Sequence, residues 1–198
     1  MNDSEMNITG ILLAGGMSKR MGREKGSMKI GDQFLYQFPL KVLEGLCDEI
    51  VISTCKSFTT AWEYPTVCDE VEGIGPMGGI YTCLKASSND INIVLSYDMP
   101  LVSKELLEYL LSEAENYDLI LPAMSLQKPE PLCGVYRKSM TGILKNLVDQ
   151  QIYAVHKAIP AARSKTIILE ESMPFYQEDI FLNINRKKDL EKLPKTLK

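Results

Sequence analysis

The sequence predicts one α/β domain spanning residues 1–198, a Rossmann-like three-layer α/β/α arrangement around a mostly parallel sheet. Two observations lead to this prediction. Short apolar runs of strand length alternate along the chain with amphipathic segments of helix length, which is the pattern of βαβ units. No internal repeat, low-complexity tract or linker divides the chain, and 198 residues suffice for one sizeable core.

The first strand, Ile8–Leu13, is apolar from Ile11 to Leu13, as expected of a strand buried on both faces of a parallel sheet. Each further strand is an apolar run that ends in turn residues, and each helix is an amphipathic stretch that follows. The later strands are predicted at Ile50–Thr54, Thr66–Cys68, Ile91–Leu95, Asp118–Leu121, Leu132–Tyr136 and Thr166–Leu169. The helices are predicted at Phe34–Leu46, Met77–Ala86, Lys104–Glu115, Met140–Asp149, Ala154–Ile159 and Arg186–Leu193.

A glycine-rich, basic loop follows the first strand. Gly15 and Gly16 free the backbone to turn and to approach a ligand closely. Within the eleven residues that follow Ser18, five cations face one acid, Glu24, whereas the whole chain has a net charge of -4. The cations are Lys19, Arg20, Arg23, Lys25 and Lys29. This charge contrast favours a phosphate-rich ligand over an ordinary turn.

The loop differs from the P-loop of nucleotide triphosphatases. That motif requires Lys and Ser or Thr directly after its last glycine. Here Gly22 is followed by Arg23, and Lys25 is followed by Gly26.

Other polar residues follow strands whose carboxyl ends share one edge of the predicted sheet, where ligands of such folds bind. Ser53 lies at the end of the second strand, and Asp69 follows the third. Asp98 follows the fourth, just before Pro100, which turns the chain away from the sheet. A carboxylate there suits Mg²⁺ held at phosphates, although a turn-forming aspartate is the alternative.

A second glycine pattern suggests a rival function. Gly73-x-Gly75-x-x-Gly78 matches the dinucleotide fingerprint, and Asp98 follows Gly78 by 20 residues, as in a nicotinamide-dependent oxidoreductase. The fingerprint should follow its strand directly. Here Asp69, Glu70 and Glu72 intervene, and these acids would repel a pyrophosphate.

Composition and charge further limit what kind of protein this is. The pI of about 5.2 argues against nucleic-acid binding, and no apolar run approaches the ~20 residues that span a bilayer. The five cysteines include no C-x-x-C pair and are expected to be small core residues in a reducing cytoplasm. His156 is the only histidine, which excludes a clustered-histidine metal site, and we expect it on a helix surface. We therefore expect a cytoplasmic protein that binds neither nucleic acid nor membranes.

The loop and the later motifs together resemble molybdenum cofactor guanylyltransferases over essentially the whole chain. The resemblance begins in Leu13-Ala14-Gly15-Gly16-x-Ser18-x-Arg20-Met21-Gly22-x-x-Lys25. It continues through Asp69, Gly75-Pro76-Met77-Gly78-Gly79-Ile80, Asp98-Met99-Pro100, Pro129-Glu130-Pro131-Leu132 and Phe181-Leu182-Asn183-Ile184-Asn185. The resemblance implies the nucleotide-diphospho-sugar transferase type of fold.

The resemblance also implies the reaction. GTP and molybdenum-bound molybdopterin would be the substrates, with Mg²⁺ as cofactor, and molybdopterin guanine dinucleotide and pyrophosphate would be the products. Proteins that synthesise the molybdenum cofactor or accept it would be the partners.

Residue by residue, the resemblance assigns roles to a small set of positions. Leu13, Ala14, Gly15 and Gly16 would hold GTP through the backbone, with Lys25 on its phosphates and Arg20 as a helper. Asp69 would bind the nucleoside, Asp98 would ligate Mg²⁺ and contact the nucleotide, and Asn183 and Asn185 would lie on the molybdopterin side. Two positions depart from the family. Glu24 replaces the usual Asp, and Ser53 replaces the Asn of some members, so the resemblance assigns no base contact to Ser53.

The chemistry suits these residues because a phosphate nucleophile is already ionised and requires no general base. Transfer then depends on positioning and charge neutralisation. Three alternatives stay open: cytidylyl transfer to molybdopterin, activation of a sugar phosphate, and a non-catalytic nucleotide-binding adaptor. Asn183 or Asn185 could also simply cap the last predicted helix.

Overall fold

The structure, a computed structural model, describes residues 7–15, 28–54, 62–71 and 73–194. Its strands are β1 (Ile8–Leu13), β2 (Lys29–Ile30), β3 (Gln33–Phe34), β4 (Glu49–Thr54), β5 (Thr66–Cys68), β6 (Ile91–Ser96), β7 (Leu119–Ala123), β8 (Cys133–Arg137) and β9 (Ser164–Ile168). The α-helices are α1 (Gln37–Glu44), α2 (Pro76–Ala86), α3 (Lys104–Ser112) and α4 (Met140–Asp149). Two 3₁₀ helices cover Val155–Ala161 and Lys187–Lys192.

The central sheet has seven strands in the order β5-β4-β1-β6-β8-β7-β9. β1 pairs in parallel with both β4 and β6, and β5 and β9 pair in parallel with β4 and β7. β8 lies between β6 and β7 and runs antiparallel to both. The predicted mostly parallel sheet is confirmed; among the strands of the described residues, only β8 is reversed within it.

Helices cover both faces of this sheet, which confirms the predicted three layers. Successive side chains of a strand point to opposite faces. Leu12 of β1 therefore packs in the core shared with α1 and α3, whereas Ile11 and Leu13 pack in the core shared with α2 and α4. All six residues of β1 are buried, as expected of a strand covered on both sides.

The helix predicted from Phe34 begins only at Gln37. Phe34 instead pairs with Lys29 in the β2–β3 hairpin, which turns at Gly31 with φ of +58°. Sequence periodicity missed the hairpin because two-residue strands are too short to show alternation. Pro39 fits in the first turn of α1, where a backbone N–H has no partner within the helix.

The last two predicted helices form as 3₁₀ helices rather than α-helices. Pro160 lies inside the first and removes a backbone donor, which disfavours a longer ladder of hydrogen bonds. The second follows Arg186, and the carboxylate of Asp189 in its first turn accepts the backbone N–H groups of Asn185 and Arg186.

The structure corrects the expectation that all the cysteines are core residues. Cys83 and Cys133 are buried and Cys47 is partly buried, and burial raises the pKa of the Cys47 thiol to about 12. Cys68 is exposed, because β5 is an edge strand with only one neighbour. Cys55 lies outside the described residues. His156 is exposed, as predicted, and no helix in the described ranges is long and apolar enough to cross a membrane.

Candidate active site

The ends of four parallel strands bring three of the predicted site residues, Leu13, Asp69 and Asp98, to one edge of the sheet. Leu13, the last residue of β1, is in register with Ser53 of β4 and with Ser96 of β6. Thr54 at the end of β4 is in register with Cys68, which directly precedes Asp69. The carboxyl ends of these strands therefore meet, as expected for a ligand site in a doubly wound sheet.

The start of the glycine-rich loop is tied to both neighbouring strands. The Ala14 N–H donates to the Ser53 carbonyl over 2.9 Å, and the Tyr97 N–H donates to the Leu13 carbonyl over 3.1 Å. Leu13 and Ala14 are buried, and Gly15 is the first partly exposed residue of the loop. Because the Ala14 N–H already has a partner, it is not a donor for a nucleotide. The other predicted loop residues, Gly16, Arg20 and Lys25, lie outside the described residues.

Asp69 is held by Ser53 rather than standing alone. The Ser53 hydroxyl donates to Asp69 Oδ1 over 3.3 Å, and only 2% of Ser53 is exposed. The Cys83 thiol also lies beside Ser53. Burial raises the pKa of that thiol, the Asp69 charge raises it further, and the Ser53 contact opposes the rise. Ser53 is therefore placed to orient the Asp69 carboxylate, and it is too buried to contact a nucleotide base.

Two glycines at the start of α2 make room for this pair. A Cβ on Gly79 would lie closer than 3.0 Å to the Ser53 hydroxyl oxygen and 3.2 Å from the Ser53 Cβ. A Cβ on Gly78 would lie 3.2 Å from Asp69 Oδ2. Sequence reasoning missed this function of the glycines, because it depends on which strand the helix crosses.

The same geometry weakens the dinucleotide-binding alternative. Gly73 and Gly75 have φ of +84° and +70°, so their turn explains both glycines without a ligand. The Asp69 carboxylate lies beside Gly78 in the first turn of α2, where the fingerprint would place a pyrophosphate. A carboxylate there repels phosphate.

Asp98 lies in a buried turn directly after β6, with 8% of its surface exposed. The Ser96 hydroxyl donates to Asp98 Oδ1 over 2.6 Å, a short hydrogen bond typical of a charged acceptor. The Asp98 carbonyl accepts the Ile184 N–H over 2.9 Å. This main-chain bond joins the end of β6 to the C-terminal segment that carries both predicted asparagines.

Glu130 is a site residue for which sequence reasoning assigned no role. Its Oε1 accepts the Leu132 N–H over 3.2 Å, and the Leu132 carbonyl accepts the Ser96 N–H over 2.9 Å. Burial raises the pKa of the Glu130 carboxyl, the Leu132 N–H opposes the rise, and the nearby charge of Asp98 adds to it. The sequence feature that could have identified Glu130 is its position in Pro129-Glu130-Pro131-Leu132, directly ahead of a predicted strand.

The two predicted asparagines, Asn183 and Asn185, flank Ile184, whose backbone N–H bonds to the Asp98 carbonyl. Asn183 is partly buried, and its Nδ2 donates to the Phe181 carbonyl over 3.0 Å. Asn185 is exposed, and its backbone N–H donates to Asp189 Oδ2 over 3.1 Å. The following 3₁₀ helix starts after Arg186, so Asn183 is not its cap.

A divalent cation fits the donor set at the end of β6. The described residues contain no group of three or more His, Cys, Asp or Glu side chains that could hold a metal alone. Asp98 and Glu130 nevertheless place two carboxylates close enough to interact unfavourably, and a bound cation would relieve that repulsion. One or two carboxylates plus substrate phosphates form the usual protein site for Mg²⁺.

Comparison with known proteins agrees with this architecture. A protein from Carboxydothermus hydrogenoformans named "Probable molybdenum cofactor guanylyltransferase" is 30% identical over 190 residues, covering 96% of each chain. A Campylobacter jejuni protein named "Molybdenum cofactor guanylyltransferase" is 30% identical over 200 residues and covers 100% of both chains.

A solved structure shows the same fold. The molybdopterin-guanine dinucleotide biosynthesis protein A from Archaeoglobus fulgidus superposes with a TM-score of 0.76 at 25% identity, covering 93% of this chain and 95% of the other. The family model described as "MobA-like NTP transferase domain" matches residues 10–164, which run from within β1 through β8 and include Asp98. The chain therefore belongs to the family of MobA-like nucleotidyltransferases.

Proposed function

We propose that this protein transfers GMP from GTP to the terminal phosphate of Mo-molybdopterin, releasing pyrophosphate and forming molybdopterin guanine dinucleotide. The observation that carries the proposal is the match, over the full length of both chains, to a relative named for this activity. The convergence of Leu13, Asp69 and Asp98 on one sheet edge supports it, because nucleotidyl transfer requires groups that position a nucleotide rather than a covalent nucleophile.

In this proposal the first part of the chain binds GTP. The segment Leu13–Gly16 and Lys25 hold the nucleotide and its phosphates, and Arg20 assists in neutralising charge. Asp69, oriented by Ser53, binds the nucleoside part. The Ala14 N–H does not take part, because it is bonded to the Ser53 carbonyl, so other groups of this segment make the contacts with GTP.

Asp98, with Glu130 nearby, is the proposed carboxylate that holds a divalent cation, and we propose Mg²⁺. Bound there, Mg²⁺ would neutralise charge on the phosphate oxygens at the reacting centre. Asp98 is well suited to hold a cation because Ser96 fixes one of its oxygens and the Ile184 N–H fixes its backbone. No side chain has to act as a general base, since the attacking phosphate is already ionised.

The C-terminal segment is the proposed acceptor side. Asn183 and Asn185 lie on either side of the residue that bonds to the Asp98 backbone. An amide side chain offers both donors and acceptors, which suits the polar edge of a pterin or its phosphate. Proteins that supply Mo-molybdopterin or receive the dinucleotide are the proposed partners.

A nucleotide panel tests the proposal. The purified protein is incubated with Mo-molybdopterin, Mg²⁺ and either GTP, CTP, ATP or UTP, and dinucleotide and pyrophosphate are quantified. We expect product with GTP. Product with CTP alone would instead show a cytidylyltransferase. Nucleotide binding without any product, with this acceptor or with sugar phosphates, would favour a non-catalytic adaptor.

A further inference from the structure

Ser96 makes a contact that its position in a strand does not require. It is the last residue of β6, and only 6% of its surface is exposed. Its hydroxyl donates to Asp98 Oδ1 over 2.6 Å. A serine at the end of a buried strand otherwise tends to bond to its own backbone or to water, whereas here the donor is directed at one carboxylate oxygen.

The Ser96 hydroxyl is held firmly in place by the main chain. The Ser96 N–H donates to the Leu132 carbonyl over 2.9 Å, and Ser96 is in register with Leu13 of β1. The Leu132 N–H is in turn bonded to Glu130 Oε1. Strand pairing on one side and the Glu130–Leu132 turn on the other therefore fix the backbone from which the hydroxyl projects.

This rigidity matters because the terminal torsion of an aspartate side chain is broad and poorly defined by its own rotamer preferences. A donor fixed at 2.6 Å restricts that torsion. Small misplacements of a group at a reacting centre reduce rates strongly, so a residue that orients a cation-binding carboxylate contributes without touching substrate.

We propose that Ser96 is a positioning residue whose hydroxyl holds the Asp98 carboxylate in the orientation that binds the divalent cation. The inference rests on the proposed function in taking Asp98 as the cation-binding carboxylate. It is specific to Ser96, since the side chains of Ile93, Val94 and Leu95 in the same strand are apolar.

The test compares three variants of the full chain. Ser96→Ala removes the donor, and Ser96→Thr retains a hydroxyl. Ser87→Ala is the matched control, because Ser87 is buried and its hydroxyl donates to the Leu84 carbonyl over 2.9 Å at the far end of α2. Each variant is checked by thermal unfolding, so that a general loss of stability is visible in Ser87→Ala as well.

Cation binding is measured directly and through activity. The first readout is the Mn²⁺ affinity of the protein–GTP complex, followed by water proton relaxation. The second is the Mg²⁺ concentration that gives half-maximal GMP transfer. In Ser96→Ala the Mn²⁺ affinity should fall by about tenfold and the half-maximal Mg²⁺ concentration should rise by about tenfold, a factor at the lower end of what losing a hydrogen bond to a charged group produces. In Ser96→Thr and Ser87→Ala both should stay within about twofold of the wild-type values, too small a change to indicate a lost hydrogen bond.

The outcomes separate the two proposals. Unchanged Mn²⁺ affinity in Ser96→Ala overturns the positioning role, whatever the activity. Wild-type protein that binds Mn²⁺ and GTP but transfers no GMP overturns the proposed function, and the Mn²⁺ comparison still decides the role of Ser96. If Ser96→Ala does not fold, Ser96→Cys replaces it, since a thiol has similar size but is a weak donor.

Discussion

Replacing Gly79 by alanine should destabilise the protein, although the same change in a helix normally stabilises it. Alanine has a helix propensity better than that of glycine by about 1 kcal/mol. At position 79 the added Cβ would lie closer than 3.0 Å to the Ser53 hydroxyl oxygen and 3.3 Å from Leu13 Cδ2. Ser53 is buried and has little room to move away, so the hydroxyl must rotate or α2 must shift.

The expected magnitude follows from three opposing contributions. Overpacking of a filled core destabilises by about 1–3 kcal/mol. Displacing the Ser53 hydroxyl from Asp69 removes a long hydrogen bond to a charged group, about 1.5 kcal/mol at the low end of the range. The propensity gain of about 1 kcal/mol offsets part of this, which leaves a net loss of about 1.5 kcal/mol with mild overpacking and about 3.5 kcal/mol with strong overpacking.

The assay is urea unfolding followed by circular dichroism, with the free energy of unfolding obtained by linear extrapolation. Gly142→Ala in α4 is the matched control, because a Cβ there meets no atom within 4 Å. It should raise the free energy of unfolding by up to about 1 kcal/mol. GTP affinity measured on Gly79→Ala should also fall if Asp69 binds the nucleoside, whereas Gly142→Ala should bind GTP normally.

A double variant tests the cause. Ser53→Ala removes the oxygen that the new Cβ would strike, so Gly79→Ala should be less destabilising in that background. The coupling between the two positions should be about 1 kcal/mol or more, within the range for contacting residues. Additive effects of the two substitutions, or a stabilised Gly79→Ala, would refute the reasoning.

Four further predictions concern individual side chains. Asp98→Asn should keep the fold, because the amide oxygen can still accept a hydrogen bond, yet lose most transfer activity; near-normal turnover at limiting Mg²⁺ would contradict its role. Lys25→Ala should weaken GTP binding by about 1.5–3 kcal/mol, whereas Lys187→Ala on an exposed residue should not, and equal effects would show that the loop is only a charged surface. Asn183→Ala should leave the Kd for Mg²⁺–GTP nearly unchanged while slowing product formation; a destabilised variant with normal turnover would reject an acceptor-side role. Burial and the charge of Asp98 raise the pKa of Glu130, so ionising this carboxyl lowers the free energy of unfolding as the pH rises above the ordinary carboxyl range. Glu130→Gln should therefore have a higher free energy of unfolding than wild type at neutral pH and lose that advantage in acid. Urea unfolding at a series of pH values measures this.

The described residues agree with much of what the sequence predicts about the fold. The apolar runs of β1 and β6 predict buried strands, and the structure places both strands in the interior of the sheet, with all of their residues buried. The strand ends that carry Asp69 and Asp98 were predictable for the same reason, since parallel strands in βαβ units end at one edge. The predicted roles of Lys25, Asp69, Asp98 and the two asparagines remain predictions.

Other features depended on the tertiary structure. The apolar run of β8 predicts that this strand is buried but does not predict whether it runs parallel or antiparallel to its neighbours. Only the packed sheet shows that β8 runs antiparallel between β6 and β7. The β2–β3 hairpin escaped prediction because its strands contain two residues each.

The partners of the site residues were equally invisible in the sequence. Ser53 and Asp69 are 16 positions apart, and Gly79 follows Asp69 by another ten, yet α2 brings the three together. The charge of Asp98 helps to raise the pKa of Glu130 across 32 positions, because the segment that leads into β8 lies beside the end of β6. Sequence by itself determined where the longer strands and the four α-helices lie and which polar residues follow the strands, since apolar patterning and turn chemistry are local; it missed the short hairpin and the 3₁₀ character of the last two helices. Only the tertiary structure decided which of those polar groups touch, because a hydrogen bond depends on distance in space and not on separation along the chain.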